Sequence, residues 1–266
     1  MKTVIFSDLD GTLLHPKTYS FQEAIPALEL IREKGVPLVL CSSKTRAELE
    51  LYRSRLQNRD PFITENGGAV FAPRGYFPSL AGRVREDYIV RDIGTPYPQI
   101  RKAFVSLREG LRIPVKGFGD MSADEVSAIT GLAREEAVLA REREFAEPFV
   151  FEKGEDGRFL RAIEEQGLSW TRGRLYCIMG AHDKGRAVRL LKQWYEAEHG
   201  TIITIGLGDG MNDLPLLREV DHPVLIRKED GSYEPGAAVP GLSRPEGIGP
   251  AGWNQAVLEL LKSNVT

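Results

Sequence analysis

The sequence predicts an α/β fold, a parallel-sheet core interrupted by a smaller inserted α+β domain, and three observations carry that prediction. Strand-type and helix-type stretches alternate over residues 1–80 and again after Lys184, while the middle of the chain keeps a different rhythm. The run "VPLVLCS" is apolar throughout, the pattern of a strand covered on both faces. Two strands far apart in the chain, "VIFSDLD" and "TIITIGLGD", both end in acids, and open parallel sheets bind ligands beyond the carboxyl ends of their strands.

Taken in order, "TVIFSD" is a short apolar strand. "YSFQEAIPALELIREKG" is expected to be a helix, with Ser20 and Glu23 in capping-box spacing, Gly35 as its stop and Pro26 disturbing its early turns. "VPLVLCS" is the second strand and "TRAELELYRSRL" the next helix. "PFITENGGAVFAPRGYF" reads as a strand, a Gly-Gly turn and a hairpin. In the insertion, taken as residues 81–179, "DYIVRDI", "IPVKGF", "EPFVFE" and "GRLYCIMG" are strands. Helical stretches such as "PYPQIRKAFVSLREG" and "SADEVSAITGLAREEAVLARERE" lie between them. Over residues 180–266 the core returns: helix "KGRAVRLLKQWYEAEHG", strand "TIITIGLGD", helix "NDLPLLREV", strand "HPVLIR", and the final helix "NQAVLELLK" after a Gly/Pro-rich loop.

Composition narrows the function. Across 266 residues, 35 Lys and Arg stand against 38 Asp and Glu, a balance that lacks the basic field of a nucleic-acid binder. Cys41 and Cys177 lie far apart inside strand-like runs, so neither a disulfide framework nor a zinc ribbon is indicated. No stretch is long enough to span a bilayer and the first strand leaves no room for a signal peptide, so a soluble, cytoplasmic protein without membrane contact is expected.

The chemistry concentrates in the acids. Asp8 and Asp10 are two apart, so an extended backbone would aim both to one side, where they repel each other. "GLGDGMND" adds Asp209 at the end of a strand and Asp213 at the mouth of a helix. Such a set of carboxylates needs a cation, and hard oxygen donors on a partly hydrated site suit Mg²⁺. D-x-D-G also occurs in calcium loops and plain turns, but the remaining positions of an EF-hand are missing here. No Gly run fits a dinucleotide or Walker A pattern. Ser42, following a strand at a helix entrance, can offer its hydroxyl and N–H to a phosphate oxygen. Lys184 opens a helix, where a cation opposes the helix dipole, a locally unfavourable placement that asks for a reason.

In this order, "DLDGT", Ser42, Lys184 and "GDGMND" resemble the four motifs of the haloacid dehalogenase superfamily of phosphohydrolases. The resemblance covers nearly the whole chain. It implies a Rossmann-like core of haloacid dehalogenase type, with residues 81–179 as the larger α+β cap of sugar-phosphatase members. It implies Asp8 as the nucleophile that forms an aspartyl-phosphate and Asp10 as general acid and base. Ser42 and Lys184 complete the catalytic set, and Mg²⁺ is held by Asp8, Asp10, Asp209 and Asp213, with Asn212 orienting them. "VLCSSKTRAE", "ITENGGAVFAPRGYF" and "GLGDGMNDLPLL" are similar to members that release phosphate from a mannosylated 3-phosphoglycerate, so the expected partner is a small phosphorylated glycoside. Its carboxylate and hydroxyls are assigned to Ser43, Lys44, Thr45, Arg46, Glu65 and Asn66. A sucrose-phosphate or hexose-phosphate phosphatase, a phosphomannomutase and a non-catalytic phosphometabolite binder stay open as alternatives.

Overall fold

A computed structural model describes residues 1–262. The core strands are β1 (Lys2–Ser7), β2 (Leu38–Cys41), β3 (Phe62–Thr64), β4 (Ala69–Pro73), β5 (Arg83–Arg85) and β6 (Tyr88–Asp92). Helices α1 (Ile25–Lys34) and α2 (Arg46–Arg55) connect the first three. The inserted domain runs α3 (Tyr97–Leu111), β7 (Val115–Gly117), α4 (Ala123–Thr130), α5 (Arg134–Ala140), β8 (Ala146–Phe151), α6 (Gly157–Glu165), β9 (Ser169–Arg172) and β10 (Tyr176–Met179). The core closes with α7 (Lys184–His199), β11 (Ile202–Gly208), α8 (Leu214–Leu217), β12 (His222–Leu225) and α9 (Gly249–Lys262).

The core sheet has the order β12-β11-β1-β2-β3-β4-β6-β5. From β12 to β3 the strands are parallel, whereas β4, β6 and β5 add antiparallel. Side chains of β1 alternate between two cores: Ile5 packs with Leu40, Leu207 and Trp253 of α9, while Val4 and Phe6 pack with Val39, Val188 and Leu217 on the side of α7 and α8. Burial on both faces is why these strands are apolar without interruption. It also puts the ends of β1 and β11 side by side, with Ser7 opposite Leu207.

The second sheet is antiparallel, in the order β7-β8-β10-β9. One face carries Phe149 and Ile178 against Phe104 of α3 and Phe159 of α6. The other presents Pro148, Thr171 and Cys177 to the core domain's acids across a cavity.

Several expectations change. Residues 83–92 do not join the inserted sheet: β6 pairs with β4 from Ala69 opposite Asp92 to Pro73 opposite Tyr88, and so extends the core sheet. Strand pattern in a sequence does not say which sheet a strand will pair with. The first helix begins at Ile25 after a 3₁₀ turn over Gln22–Ala24, with no side-chain cap. Pro26 therefore falls in the first turn, where its missing N–H costs nothing. Gly35 ends the helix in the left-handed region, as expected. The stretch expected as one helix from Ser122 is two, α4 and α5, broken at Gly131, and α9 starts at Gly249, ahead of the expected Asn254.

Candidate active site

The first acid motif is held by the sheet from below. The Asp8 N–H donates to Leu207 O (2.9 Å), and the buried Ser7 hydroxyl donates to Asp8 O while accepting the Trp253 indole N–H. Beyond Asp8 the chain turns sharply, with Leu14 N–H bonding back to Leu9 O. Gly11 makes this possible: its φ is +83°, and a Cβ there would sit 2.6 Å from Asp209 Oδ2. β1 ends at Ser7, so Asp8 and Asp10 follow the strand, and their carboxylates pair with different lysines.

Each acid has its own buried lysine. Lys184 Nζ donates to Asp8 Oδ1 and Asp213 Oδ1, both at 2.6 Å, and its side chain is fully buried. Lys44 Nζ lies 3.1 Å from Asp10 Oδ2 and 3.5 Å from Glu48 Oε1. Burial pulls the Lys184 pKa down, but Asp213 and Asp8 more than reverse this and leave it raised. That is the reason a cation sits in the first turn of α7: two carboxylates outweigh the helix dipole.

The acids themselves are strained electrostatically. Burial, then Asp213 and Asp10, push the Asp8 carboxyl up to about 7 against the pull of Lys184. Burial, then Asp213 and Asp8, raise Asp209 well above the carboxylate range. Asp213 is spoken for on both oxygens, since Oδ2 accepts the N–H groups of Asp209 and Gly210. Asp209 accepts the Thr12 hydroxyl on Oδ1 at 3.1 Å. Asp8, Asp209 and Asp213 each offer an oxygen, and these lie within 4.8 Å of one another. Three carboxylates around one ammonium leave an excess of negative charge, and an all-oxygen donor set fits a hard divalent cation. Asp10 is expected to reach the ion through its backbone carbonyl; its side chain lies outside that carboxylate set, paired to Lys44.

The acids floor a cavity of about 900 Å³ between the two domains. Asp8, Asp10, Ser43, Lys44, Asn66 and Asp209 line its core side, and Asn212 lies beside Asn66, its amide donating to Asn66 Oδ1 at 3.2 Å. Besides Lys184 and Asp213, buried behind Asp8, four residues assigned to the site from sequence are not on its wall. Ser42 is fully buried behind Ser43 and Lys44, its Oγ accepting the Lys44 N–H. Thr45, and not Ser42, caps α2; its Oγ1 accepts Glu48 N–H and donates to Leu139 O of the inserted domain. Arg46 makes a two-pronged pair with Glu86 at 2.8 and 3.1 Å on the exposed surface. Glu65 has φ +45°, and its buried carboxylate accepts the N–H groups of Glu144, Phe145 and Ala146 at 2.8–3.0 Å, joining the core to the inserted domain.

Glu65 is thus a latch between domains. Glu65→Ala is expected to strand three N–H groups and the Arg143 guanidinium 3.4 Å away. Removing one partner of such a buried set costs about 3–5 kcal/mol, read as a lower midpoint in urea unfolding; an unchanged midpoint would remove the latch.

Arg143, Arg172 and Arg174 from the inserted domain also line the cavity. Arg143 is nine-tenths buried and donates to Ser43 O and Ala146 O. Nothing in "LARERE" separates this arginine from solvated helix charges; only its position at the domain seam does. His182, beside a motif, is buried with its ring near Glu65 O, and burial holds its pKa down at about 4, in keeping with a structural role.

Known proteins resemble this chain over most of its length. A family model described as haloacid dehalogenase-like hydrolase matches residues 5–76. A glucosyl-3-phosphoglycerate/mannosyl-3-phosphoglycerate phosphatase from Methanococcoides burtonii is 45% identical over 99% of this chain and 99% of its own. A mannosyl-3-phosphoglycerate phosphatase from Pyrococcus furiosus is 37% identical over 85% of this chain and 91% of its own. Among solved structures, the haloalkanoate-superfamily phosphatase BT1666 from Bacteroides thetaiotaomicron superposes with a TM-score of 0.67 at 19% identity, covering 98% of this chain and 96% of that one, a likeness of fold. The chain belongs to the haloacid dehalogenase-like hydrolases and, within them, to the family that holds these mannosyl-3-phosphoglycerate phosphatases.

Proposed function

We propose that the protein hydrolyses mannosyl-3-phosphoglycerate to mannosylglycerate and phosphate, with Mg²⁺ as cofactor. The observation that carries this reading is the buried Lys184 ammonium bridging Asp8 and Asp213 at 2.6 Å each, directly behind the Asp8 and Asp209 carboxylates that line the interdomain cavity. The 45%-identical relative bears both the glucosyl and the mannosyl name, which favours glucosyl-3-phosphoglycerate as a second substrate. A cavity of about 900 Å³ is at the upper end of the ~300–1,000 Å³ of small-molecule sites, and its cap-side arginines suit an anionic sugar ester. Two buried free thiols, Cys41 and Cys177, accord with a reducing, cytoplasmic setting.

Asp8 attacks phosphorus while Asp10 gives its proton to the departing glycerate oxygen, and the P–O bond to that oxygen breaks. Asp10 then takes a proton from water, whose oxygen attacks phosphorus, so phosphate leaves and Asp8 is restored. Lys184 holds Asp8 in place and offsets the repulsion between it and an anionic phosphate. Asp8 and Asp209, with Asp213 bracing the loop, would hold Mg²⁺, which would supply further positive charge at the phosphate. Asn66 and Ser43, which line the cavity on the core side, would meet the substrate there.

The deciding experiment is phosphate release from mannosyl- and glucosyl-3-phosphoglycerate, hexose 6-phosphates and sucrose 6-phosphate. The glycosyl-phosphoglycerates should lead by at least about tenfold in kcat/KM, a contact or two of discrimination. EDTA should abolish turnover, Mg²⁺ restore it and Ca²⁺, which takes more ligands at longer range, restore it poorly. Hexose phosphates outrunning both glycosides would overturn the substrate assignment, and full activity in EDTA would overturn the cofactor.

A further inference from the structure

Directly after β3, Glu65, Asn66 and Gly67 have φ angles of +45°, +57° and +96°. Asparagine and glycine accept this left-handed region, but a glutamate is seldom found in it and persists there only where its surroundings impose it. Those surroundings are the site itself. Glu65 N–H donates to Lys44 O at 3.0 Å, and Asn66 N–H to Ser42 O at 2.9 Å. A Cβ on Gly67 would lie 2.1 Å from Asp183 O, so the turn packs against the residue before Lys184. The Asn212 carboxamide donates to Asn66 Oδ1 at 3.2 Å, and both residues line the cavity. One turn thus touches the loops that carry Ser42, Lys184 and Asn212.

The Glu65 side chain leads the other way, to the N–H groups of residues 144–146 in the inserted domain. Arg143, 3.4 Å from the same carboxylate, donates to Ser43 O at 3.0 Å. We propose that Glu65 is a positioning residue, tying the seating of the inserted domain to the Asn66–Asn212 amide pair on the cavity wall. Two carboxamides carry four N–H bonds and the pair spends one, so donors remain for the oxygens of an anionic ester. Their aim depends on the turn. A residue at position 65 released from the 144–146 backbone is free to leave the left-handed region, and Asn66, next in the chain, turns with it. A latch that only fastened two domains would change stability and leave the amides where they are.

This inference rests on the reading of the cavity as a phosphatase site, and a double-mutant cycle separates the two. kcat/KM is measured for wild type, Glu65→Ala, Asn66→Gly and the double variant. The substrate is whichever phosphate ester the wild-type enzyme turns over fastest, so a failed substrate assignment leaves the cycle intact. Glycine keeps the left-handed turn while removing the amide. Asn66→Gly should cost roughly ten- to a hundred-fold, the worth of a hydrogen bond to a charged group. Glu65→Ala should cost a similar factor alone, but less than about threefold on top of Asn66→Gly, because residues that act through one contact are not additive. Losses that multiply in the double variant would make Glu65 a fastener of the fold alone, and no loss in Asn66→Gly would remove the amide pair from the reaction; either overturns the inference. A second readout needs no turnover. In heteronuclear NMR spectra, Glu65→Ala should shift the Asn212 side-chain amide resonance, and an unmoved resonance would equally overturn the coupling. Glu65→Gln keeps one carbonyl oxygen for the Phe145 and Ala146 N–H groups and should recover part of the loss; it replaces Glu65→Ala in the cycle if that variant does not fold. If wild type releases phosphate from no ester, the reading of the site falls, while the amide shift still decides whether Glu65 sets the pair.

Discussion

Asp8→Asn is expected to lower kcat by more than about 10⁴-fold while leaving the fold as stable as before or more so. Loss of a nucleophile in covalent catalysis removes the reaction path itself, and other enzymes lose up to roughly 10⁶-fold in this way. The amide nearly matches the carboxylate in volume and can still accept the Lys184 hydrogen bond, which runs to a single oxygen, Oδ1. What it removes is a charge that the site resists. Burial and Asp213 push the Asp8 carboxyl up to about 7, so the ionised form is held against its surroundings. A neutral isostere relieves that repulsion. The pairing of results is the test, since a simple structural role predicts the opposite: activity largely kept, or lost together with the unfolding midpoint. Turnover within tenfold of wild type in preparations free of other phosphatases would exclude covalent catalysis at this residue.

Lys184→Met should damage both stability and turnover. The side chain is wholly buried between Asp8 and Asp213. Its removal leaves these two carboxylates and Asp209 crowded together with no other ion-pair partner among the described residues. Breaking a buried pair from one side costs about 3–5 kcal/mol, because the remaining charge has neither partner nor water. Turnover should fall by at least about 10²–10³-fold, the range seen when a preorganised electrostatic contact to the reacting group is lost. Urea unfolding and kcat/KM report the two effects separately. A destabilised variant that regains wild-type turnover in excess Mg²⁺ would reduce Lys184 to a counter-ion for the fold. The raised pKa also fixes the pH range of its contribution. Loss of the lysine charge begins only above its ordinary pKa of about 10.4, so the low-pH limit comes from Asp8: with its carboxyl pushed up to about 7, the Lys184–Asp8 pair should weaken as pH falls through 7.

Much of the site could be read from sequence because its parts are local. Asp8, Gly11, Asp209 and Asp213 sit within two short motifs at strand ends, and a parallel sheet places strand ends together whatever the loops between them do. Lys184 was legible for the converse reason: a lysine in a helix's first turn conflicts with local electrostatics, and such a conflict signals compensation from elsewhere. Glu65, Thr45 and Arg46 misled because a polar residue beside a motif looks the same whether it faces substrate, another domain or water. Glu65 turned to the 144–146 backbone, Thr45 to Leu139 and Arg46 to Glu86. The pairing of residues 83–92 was hidden likewise, since an alternating strand can serve any sheet with a free edge.

The sequence by itself determined the core fold and the acid cluster, for which apolar periodicity and strand-end motifs suffice. Only the tertiary structure decided which lysine serves which acid. Asp8 and Asp10 are two residues apart, and their counter-ions come from Lys184 and from Lys44, on different helices or just before them. It also decided which arginines of the inserted domain reach the cavity, with Arg143 at the seam among them. The physical reason is one of range. Secondary structure answers to side-chain spacing over a few residues, whereas the pairing of buried charges answers to distances of about 3 Å between segments far apart in the chain.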